Sequence, residues 1–364
     1  MGKDPLDKLR DEINSIDSDI LNLLKKRLSV TKKVGEYKHK KGLPVFVAER
    51  EKLVIEKILK KGKDLFPKKS LEYIYREIIA ACRDSEEKQR ISFLGPAGTF
   101  THVASIRIFG NSSNFIPRPD IGEIFEDVEK GRSDFGVVPV ENSLQGTVTY
   151  VLDLFLEYEL KIIGELYLSI EHNLYSLEDD ISKIKKIYSH QQALAQCRGW
   201  IKKYLPGVSV IESYSTAEAA KIVSEERGAA AICTDWAGTM YGLKLLEKGI
   251  QDVAVNVTRF FIISKYGNSH TEETKYKTSL SIIVKDEPGS LFSTLSPFAK
   301  YKVNMTKIES RPLKGKGWEY VFFIDIEGHY SDKNILKTLE EVKKHTAKID
   351  ILGSYPKIME ENDD

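Results

Sequence analysis

Cysteine is scarce in this chain: Cys82, Cys197 and Cys233 are scattered and odd in number. That usage argues against a disulfide framework or a zinc site and fits a reducing cytoplasm. Net charge is also nearly absent, with 55 Lys and Arg against 54 Asp and Glu. Nothing global therefore favours nucleic acid or an anionic membrane surface as a partner. Long apolar runs are missing too, none reaching the roughly 18 residues that a membrane helix requires. The N-terminal MGKDPLDKL lacks the apolar core of a signal peptide. No internal repeat and no low-complexity tract is visible. What is present is a globular composition, 41% hydrophobic over 364 residues, sufficient for two or three domains with cores of their own.

Three compositional regimes follow one another. Residues 5–87 read as all helix: a first helix from about Asp7 to His39, broken by Gly42 and Pro44, a second over about Ala48–Lys61 ended by Gly62, and a third over about Ser70–Lys88 after Pro67. From Ile91 the runs ISFLG, FGVVPV, KIIGELYLSI, AAAICT and TRFFIIS alternate with helical stretches such as 190–204 and 216–227. Short apolar runs bounded by Gly and Pro suit the buried strands of an α/β fold. Polar YGNSHTEETKYK, 266–277, reads as a linker. The remainder, 278–364, gives strand, helix, strand, strand, helix, strand, the order of a ferredoxin-like split unit.

The first helix carries a heptad seam. Leu6, Ile13, Ile20 and Val34 occupy one position, and Leu9, Ile16, Leu23, Val30 and Tyr37 the other. A seam over more than 30 residues is too long for a small monomeric bundle and predicts a partner chain. Arg27 falls where the first series wants an apolar residue. Either the seam drifts and Leu24 and Leu28 take over, or an anionic ligand sits inside the bundle. Lys38 lies three turns further along nearly the same face, Arg50 opens the second helix, and an antiparallel partner helix brings Arg10 back toward Arg27. Clustered cations with few facing carboxylates suit a small polyanion.

The segments LRDEI at 9–13, KRLSVTKKVGEYK at 26–38, EREK at 49–52 and REIIAACRDSE at 76–86 resemble the all-helical chorismate mutase family. The resemblance implies an intertwined dimer and a Claisen rearrangement of chorismate to prephenate. It assigns Arg10 of the partner chain and Arg27 to the substrate carboxylates, and Lys38 to the ether oxygen. Arg50 helps organise the site, and Glu51 accepts from the substrate hydroxyl. Val47 stands where the family commonly has aspartate, and Cys82 where serine often sits. Glu86 matches the position beside the ether oxygen, where a carboxyl must be protonated to donate a hydrogen bond.

In the middle region five polar clusters follow apolar strands. GPAGTFTH, 95–102, is either a tight glycine turn or an anion cradle at a helix start. VVPVENSLQGTV, 137–148, places Asn142, Ser143 and Thr147 at the strand end where α/β sheets bind ligands. YSHQQALAQC, 188–197, offers His190 as a helix cap or structural residue. Ser215 and Thr216 suit caps of the next helix. Thr258 and Arg259 open the strand NVTRFFIIS. In this order and spacing the clusters resemble prephenate dehydratase over about residues 90–265, which implies two lobes like a periplasmic binding protein, with prephenate between them. The resemblance makes Thr258 the catalytic candidate, with Arg259 or a neighbouring network polarising it. It assigns Thr99, Asn142, Ser143, Thr147, Gln192, Ser215, Thr216, Arg259 and Phe260 to substrate binding.

EPGSLF at 287–292 and KIESRP at 307–312 resemble the ACT domain attached to prephenate dehydratases. The resemblance implies L-phenylalanine as inhibitor, bound between paired ACT domains by Gly289, Ser290, Leu291, Glu309, Ser310 and Arg311; Ser290 replaces the usual alanine. The expected organisation is a mutase region 1–88, a dehydratase region 89–267 and a regulatory region 277–364. No metal cluster or nucleotide fingerprint is apparent, so no cofactor is expected. The partners expected are small molecules and further copies of the chain, as a homodimer or homotetramer. An amino-acid-responsive binding protein that has lost catalysis is disfavoured by the intact Thr258, Arg259, Asn142, Arg27 and Lys38. A nucleic-acid surface over 25–41 is disfavoured by the seam placement of Arg27.

Overall fold

The structure, a computed structural model, describes residues 4–41, 46–62, 66–268, 270, 274–313 and 319–357. The predicted helix break at Gly42 and Pro44 lies outside the described residues. The chain divides into two compact units, one of Met1–Gln89 with Phe109–Asn114, the other of Arg90–Ile108 with Phe115–Asp364.

The first unit is helical: α1 (Pro5–Lys41), α2 (Ala48–Gly62) and α3 (Lys68–Asp84). The 37 residues of α1 bury nothing on their own. Its seam residues, from Val34 to Leu23, are 44% to 66% exposed. The long helix thus leaves the apolar stripe of the seam exposed to solvent. Ile55 of α2 and Ile79, Ala80 and Cys82 of α3 form the small core. The Phe46 ring packs tilted against that of Phe109, centroids 5.0 Å apart. The third helix ends at Asp84 rather than near Lys88, so Glu86 stands in the turn beyond it.

The second unit begins with β1 (Arg90–Leu94), α4 (Phe100–Phe109), β2 (Asn114–Arg118), α5 (Ile121–Glu129), β3 (Phe135–Asn142), β4 (Gly146–Thr147), α6 (Thr149–Glu157) and β5 (Lys161–Ser169). The chain then crosses to a second lobe: β6 (Asn173–Ser176), β7 (Lys186–Ser189), α7 (Gln191–Gln196), α8 (Arg198–Tyr204), β8 (Ser209–Glu212), α9 (Thr216–Val223), β9 (Ala229–Cys233), α10 (Asp235–Met240) and β10 (Lys244–Glu247). It returns as β11 (Val257–Ser264). The first sheet runs β2-β1-β3-β11-β5 with β4 hairpinned on β3, and the second β10-β6-β9-β7-β8. The helix predicted over 190–204 is two short helices meeting at Cys197.

The chain ends in β12 (Tyr276–Val284), α11 (Ser290–Lys300), β13 (Met305–Pro312), β14 (Tyr320–Glu327), α12 (Lys333–His345) and β15 (Thr346–Pro356), in the predicted βαββαβ order. This antiparallel sheet, β13-β14-β12-β15, packs on the first lobe. Val321, Phe323, Leu352 and Tyr355 share one core with Phe155, Ile162 and Phe261. The packing is close at Gly353, where a Cβ would fall 2.1 Å from the Ile162 carbonyl oxygen. The stretch read as a linker, 266–277, already enters β12 at Tyr276, and Lys277 is buried. Its polar composition hides an ion-paired residue, because a lysine facing a buried carboxylate reads in sequence like one facing water.

Candidate active and effector sites

In the helical unit Lys38, Glu51 and Glu86 approach one another, and Arg27 lies eleven positions before Lys38 on α1. Arg27 Nη1 donates to the Ile78 carbonyl at 3.3 Å, fixing α1 on α3. Gly35 lets Glu86 in: a Cβ there would lie 2.9 Å from the Glu86 Cβ and 3.0 Å from its Oε2. Lys38, one turn further along α1, is near enough to draw down the carboxyl pKa of both Glu86 and Glu51. Burial outweighs that pull and raises both. For Glu86 the negative Glu51 adds to the rise, and its Oε2 is buried without a hydrogen-bond partner. Arg50 is exposed. Arg10 lies 3.4 Å from Asp7 on the open face of α1, 17 positions and about 26 Å before Arg27. One chain therefore does not bring Arg10 to the other four.

Arg83 was not expected in this neighbourhood. It is 4% exposed, and its Nη1 donates to Glu51 Oε1 at 2.6 Å. In sequence it sits within a charged RDSE run that looks solvated; Phe46 and Phe109, which bury it, lie far away along the chain.

In the second unit Thr258 sits where the chain re-enters the first sheet, paired with Asn142 on β3 and Leu168 on β5. Antiparallel pairing puts the start of β11 at the end of β3, so the TRF and ENS segments meet by register. Asn142 Nδ2 donates to Thr258 Oγ1 at 2.9 Å and to Asn256 Oδ1 at 2.8 Å. Asn142 Oδ1 accepts from the amides of Leu144 and Gln145. Asn256 continues the network to Gln196 at 3.0 Å, whose Oε1 also meets His172 Nε2 at 2.7 Å. These last three residues were missed; the only signal was Asn256 standing two places before Thr258. The neighbouring network expected at Thr258 is thus that of Asn142, which donates to its hydroxyl oxygen. Ser143 Oγ accepts from the Val257 amide at 3.0 Å, clamping the same corner.

The lobes meet around this corner. Gln192 donates to Gln145 on the opposite lobe. Thr234 Oγ1 donates to the Gly98 carbonyl at 2.8 Å. Gly98 takes φ +94°, and a Cβ there would lie 3.1 Å from that of Ala237 and 3.2 Å from that of Ala217, so glycine permits both the turn and the contact. Thr99 Oγ1 donates to the Leu94 carbonyl and accepts from the His102 amide, ordering the turn. Ser215 caps α9 and Thr216 is buried beside it. His190 caps α7 through Nδ1.

Three expected substrate contacts are placed elsewhere. Arg259 is adjacent to Thr258, and strand alternation turns it to the opposite face. There its Nε and Nη2 meet Glu165 Oε2 at 2.8 and 2.7 Å, Nη1 meets Asp325 Oδ2 at 2.7 Å, and Nη2 donates to Tyr355 at 3.0 Å. Lys277 Nζ joins Glu165 at 2.8 and 3.0 Å. Phe260 returns to the face of Thr258 but is only 1% exposed, as core. Thr147 donates to Glu309 Oε2 at 3.1 Å and accepts from Lys307 at 3.2 Å, so it faces the C-terminal sheet.

The expected effector residues gather at one end of that sheet. Ile283, at the end of β12, and Arg311 on β13 both pair with Val321 of β14. Gly289, at φ +83°, then starts α11, followed by Ser290 and half-exposed Leu291. Edge strand β13 alternates: Lys307, Glu309 and Arg311 reach Glu141, Thr147 and Asp153, whereas Thr306, Ile308 and Ser310 face outward.

Family comparisons follow the same layout. The model described as chorismate mutase type II matches residues 9–87, prephenate dehydratase residues 91–268, and the ACT domain residues 278–344. The bifunctional chorismate mutase/prephenate dehydratase of Aquifex aeolicus is 46% identical over 97% of this chain and 98% of its own length. That of Pseudomonas aeruginosa is 38% identical over 98% of each. The crystal structure of prephenate dehydratase from Arthrobacter aurescens in complex with L-Phe is 35% identical, covering 74% of this chain and 90% of that one, with a TM-score of 0.67. Fold and family matches thus define a fused isomerase and lyase with a C-terminal ACT domain. The chain belongs to the bifunctional chorismate mutase/prephenate dehydratase family. It rearranges chorismate to prephenate, then dehydrates and decarboxylates prephenate to phenylpyruvate.

Proposed function

We propose that Arg27, Lys38, Glu51 and Glu86 of one chain, with Arg10 of a second, carry the mutase reaction. The rearrangement breaks an ether C–O bond as a C–C bond forms, and it needs no nucleophile. The site holds a compact dianion and stabilises the charge growing on the ether oxygen. Arg27 and the second chain's Arg10 hold carboxylates. Lys38 and protonated Glu86 donate to the ether oxygen, ionised Glu51 accepts from the hydroxyl, and Arg50 organises the rim. The distance from Arg10 to Arg27 along α1 supports a dimer, as does the bare seam; a tetramer pairs two such dimers. The charge-neutral, cysteine-poor chain suits the cytoplasm.

The dehydratase reaction belongs to Thr258 and Asn142. Asn142 donates into the Thr258 oxygen, which leaves the threonine proton to point into the cleft. Decarboxylation sends an electron pair into the ring as the C–O bond to the ring hydroxyl breaks; the leaving hydroxide takes the Thr258 proton to depart as water, and Thr258 recovers a proton from solvent in the same relay. Ser143, Gln192, Thr99, Ser215 and Thr216 shape the cleft around the substrate. L-Phenylalanine is the inhibitor, taken at Gly289–Leu291 and outward-facing Ser310 of the ACT domain, where Glu309 and Arg311 offer main chain only because their side chains are engaged by Thr147 and Asp153. The observation that carries this reading is the Asn142–Thr258 hydrogen bond at the lobe crossing. One assay tests it: chorismate supplied, phenylpyruvate followed, with and without phenylalanine. Turnover that phenylalanine suppresses is expected; product formation indifferent to phenylalanine removes the effector assignment.

A further inference from the structure

We infer that Arg83 is a positioning residue for the mutase reaction, holding Glu51 by one carboxylate oxygen so that the other accepts from the substrate hydroxyl. The inference rests on the reading of Glu51 given above.

Arg83 lies in the last turn of α3, buried, with its guanidinium carbon 5.1 Å from the Phe46 ring centroid and 5.6 Å from that of Phe109. Nη1 donates to Glu51 Oε1 at 2.6 Å, Nη2 donates to the Phe109 carbonyl, and Nε lies 4.0 Å from Asp84 Oδ1. Two aromatic faces and two directed hydrogen bonds leave the guanidinium one orientation. The Glu51 carboxylate is gripped from the side of Phe46 and Phe109, and Oε1 is taken.

A hydroxyl acceptor has to be ionised. Burial works against that at Glu51 and raises its pKa, while Arg83, then Arg76 of α3 and Lys38 of α1, work for it. Glu86, from the turn beyond α3, is the facing carboxyl and its pKa is raised as well. Arg83 hydrogen-bonds Glu51 directly, and that hydrogen bond outweighs the pull of Lys38 in favouring the ionised carboxylate.

The test uses the full chain with four variants: Arg83→Leu, Arg83→Lys, Glu51→Gln and the Arg83→Leu/Glu51→Gln double. Mutase kcat and KM are measured across pH, and dehydratase turnover of supplied prephenate serves as a folding check. Arg83→Leu is expected to lower mutase kcat/KM on the order of tenfold to a hundredfold, as for one lost charge-assisted hydrogen bond. Its acid limb should move to higher pH. Arg83→Lys should recover part of the loss, with an acid limb near that of the parent. On Glu51→Gln, Arg83→Leu should cost little more. Additive losses, or an acid limb that stays put in Arg83→Leu, overturn the inference. A Glu51→Gln variant with full mutase activity instead overturns the Glu51 reading beneath it. If Arg83→Leu fails the folding check, Arg83→Lys decides: a KM equal to the parent's refutes the positioning role, and a raised KM with an unmoved acid limb supports it.

Discussion

Thr147 Oγ1 donates to Glu309 Oε2 across 3.1 Å, joining the ENSLQGTV segment of the dehydratase to the KIESRP segment of the ACT domain. Lys307 strengthens the junction, reaching Glu141 at 2.7 Å and Thr147 at 3.2 Å. Glu141 and Thr147 face each other across the β3–β4 hairpin, and the next residue, Asn142, holds Thr258. One strand thus carries the proposed effector residues and grips the hairpin beside the Asn142–Thr258 hydrogen bond. Coupling requires that the effector favour one arrangement of such a contact over another.

Lys307→Met removes both grips of that lysine on the hairpin. Without them the Glu309–Thr147 bond still joins β13 to the hairpin, and coupling between effector and Asn142 should weaken. Residual dehydratase activity at saturating phenylalanine should therefore rise several-fold, while uninhibited turnover stays near the parent value. A phenylalanine dose–response on supplied prephenate decides it; inhibition as complete as in the parent means the signal travels elsewhere.

Behind Thr258, the fully buried carboxylate of Glu165 serves two cations, Arg259 and Lys277. Glu165→Gln leaves Asp325 as the partner of Arg259 and strips Lys277 of its carboxylate. Breaking a buried pair of this kind costs about 3–5 kcal/mol. Thermal and denaturant unfolding should show a clearly lowered midpoint for the dehydratase transition. A midpoint unchanged from the parent would mean that water reaches the cluster.

The parts of this molecule that could be read in advance were those with a persistent period or a motif that acts locally. The α1 seam and the βαββαβ order are of the first kind. Asn142 and Thr258 are of the second, since antiparallel register brings two strand ends together. Arg259 could not be placed, because a triplet reads as one unit whereas a strand turns neighbours to opposite faces. Its partners Asp325 and Tyr355 lie 66 and 96 residues away. Lys277 and Arg83 were hidden by polar surroundings, since burial depends on distant aromatic and acidic residues that no local pattern announces.

Thr258→Val keeps the shape of the residue and removes the donor. Dehydration should fall by about 10² to 10⁴, the usual contribution of a positioned proton donor. Mutase turnover should be intact. Thr258→Ser should retain much of the activity, because Asn142 can still donate to its oxygen. Equal losses in the serine and valine variants would point to the methyl group, and to packing, as the essential feature.

In the proposed reaction Glu86 donates to the ether oxygen and must be protonated, and burial raises its pKa. Between the ordinary and the raised pKa the folded chain holds a proton that the unfolded chain releases. The linked stability is fully present below the ordinary glutamate pKa and is lost as pH rises through the raised value. Mutase activity should decline over the same upper range. Glu86→Gln donates at every pH, so its alkaline limb should flatten; a limb of unchanged shape in that variant assigns the titration to another group.

Arg27 stands in the seam of α1 with one described hydrogen bond, to the Ile78 carbonyl. If its counter-charge is the substrate, the free enzyme pays a repulsion among Arg27, Lys38 and the second chain's Arg10 that a bound dianion relieves. A chorismate-like dianion should then raise the unfolding midpoint of the helical region, more so at low salt. Arg27→Leu restores the apolar heptad position. It should leave that midpoint unchanged or raise it, abolish the stabilisation by the dianion, and reduce mutase turnover to near background. Light scattering should show the same assembly as the parent, because the seam is kept. An Arg27→Leu chain that unfolds early, with no stabilisation of the parent by the dianion, makes Arg27 a structural residue fastening α1 to α3.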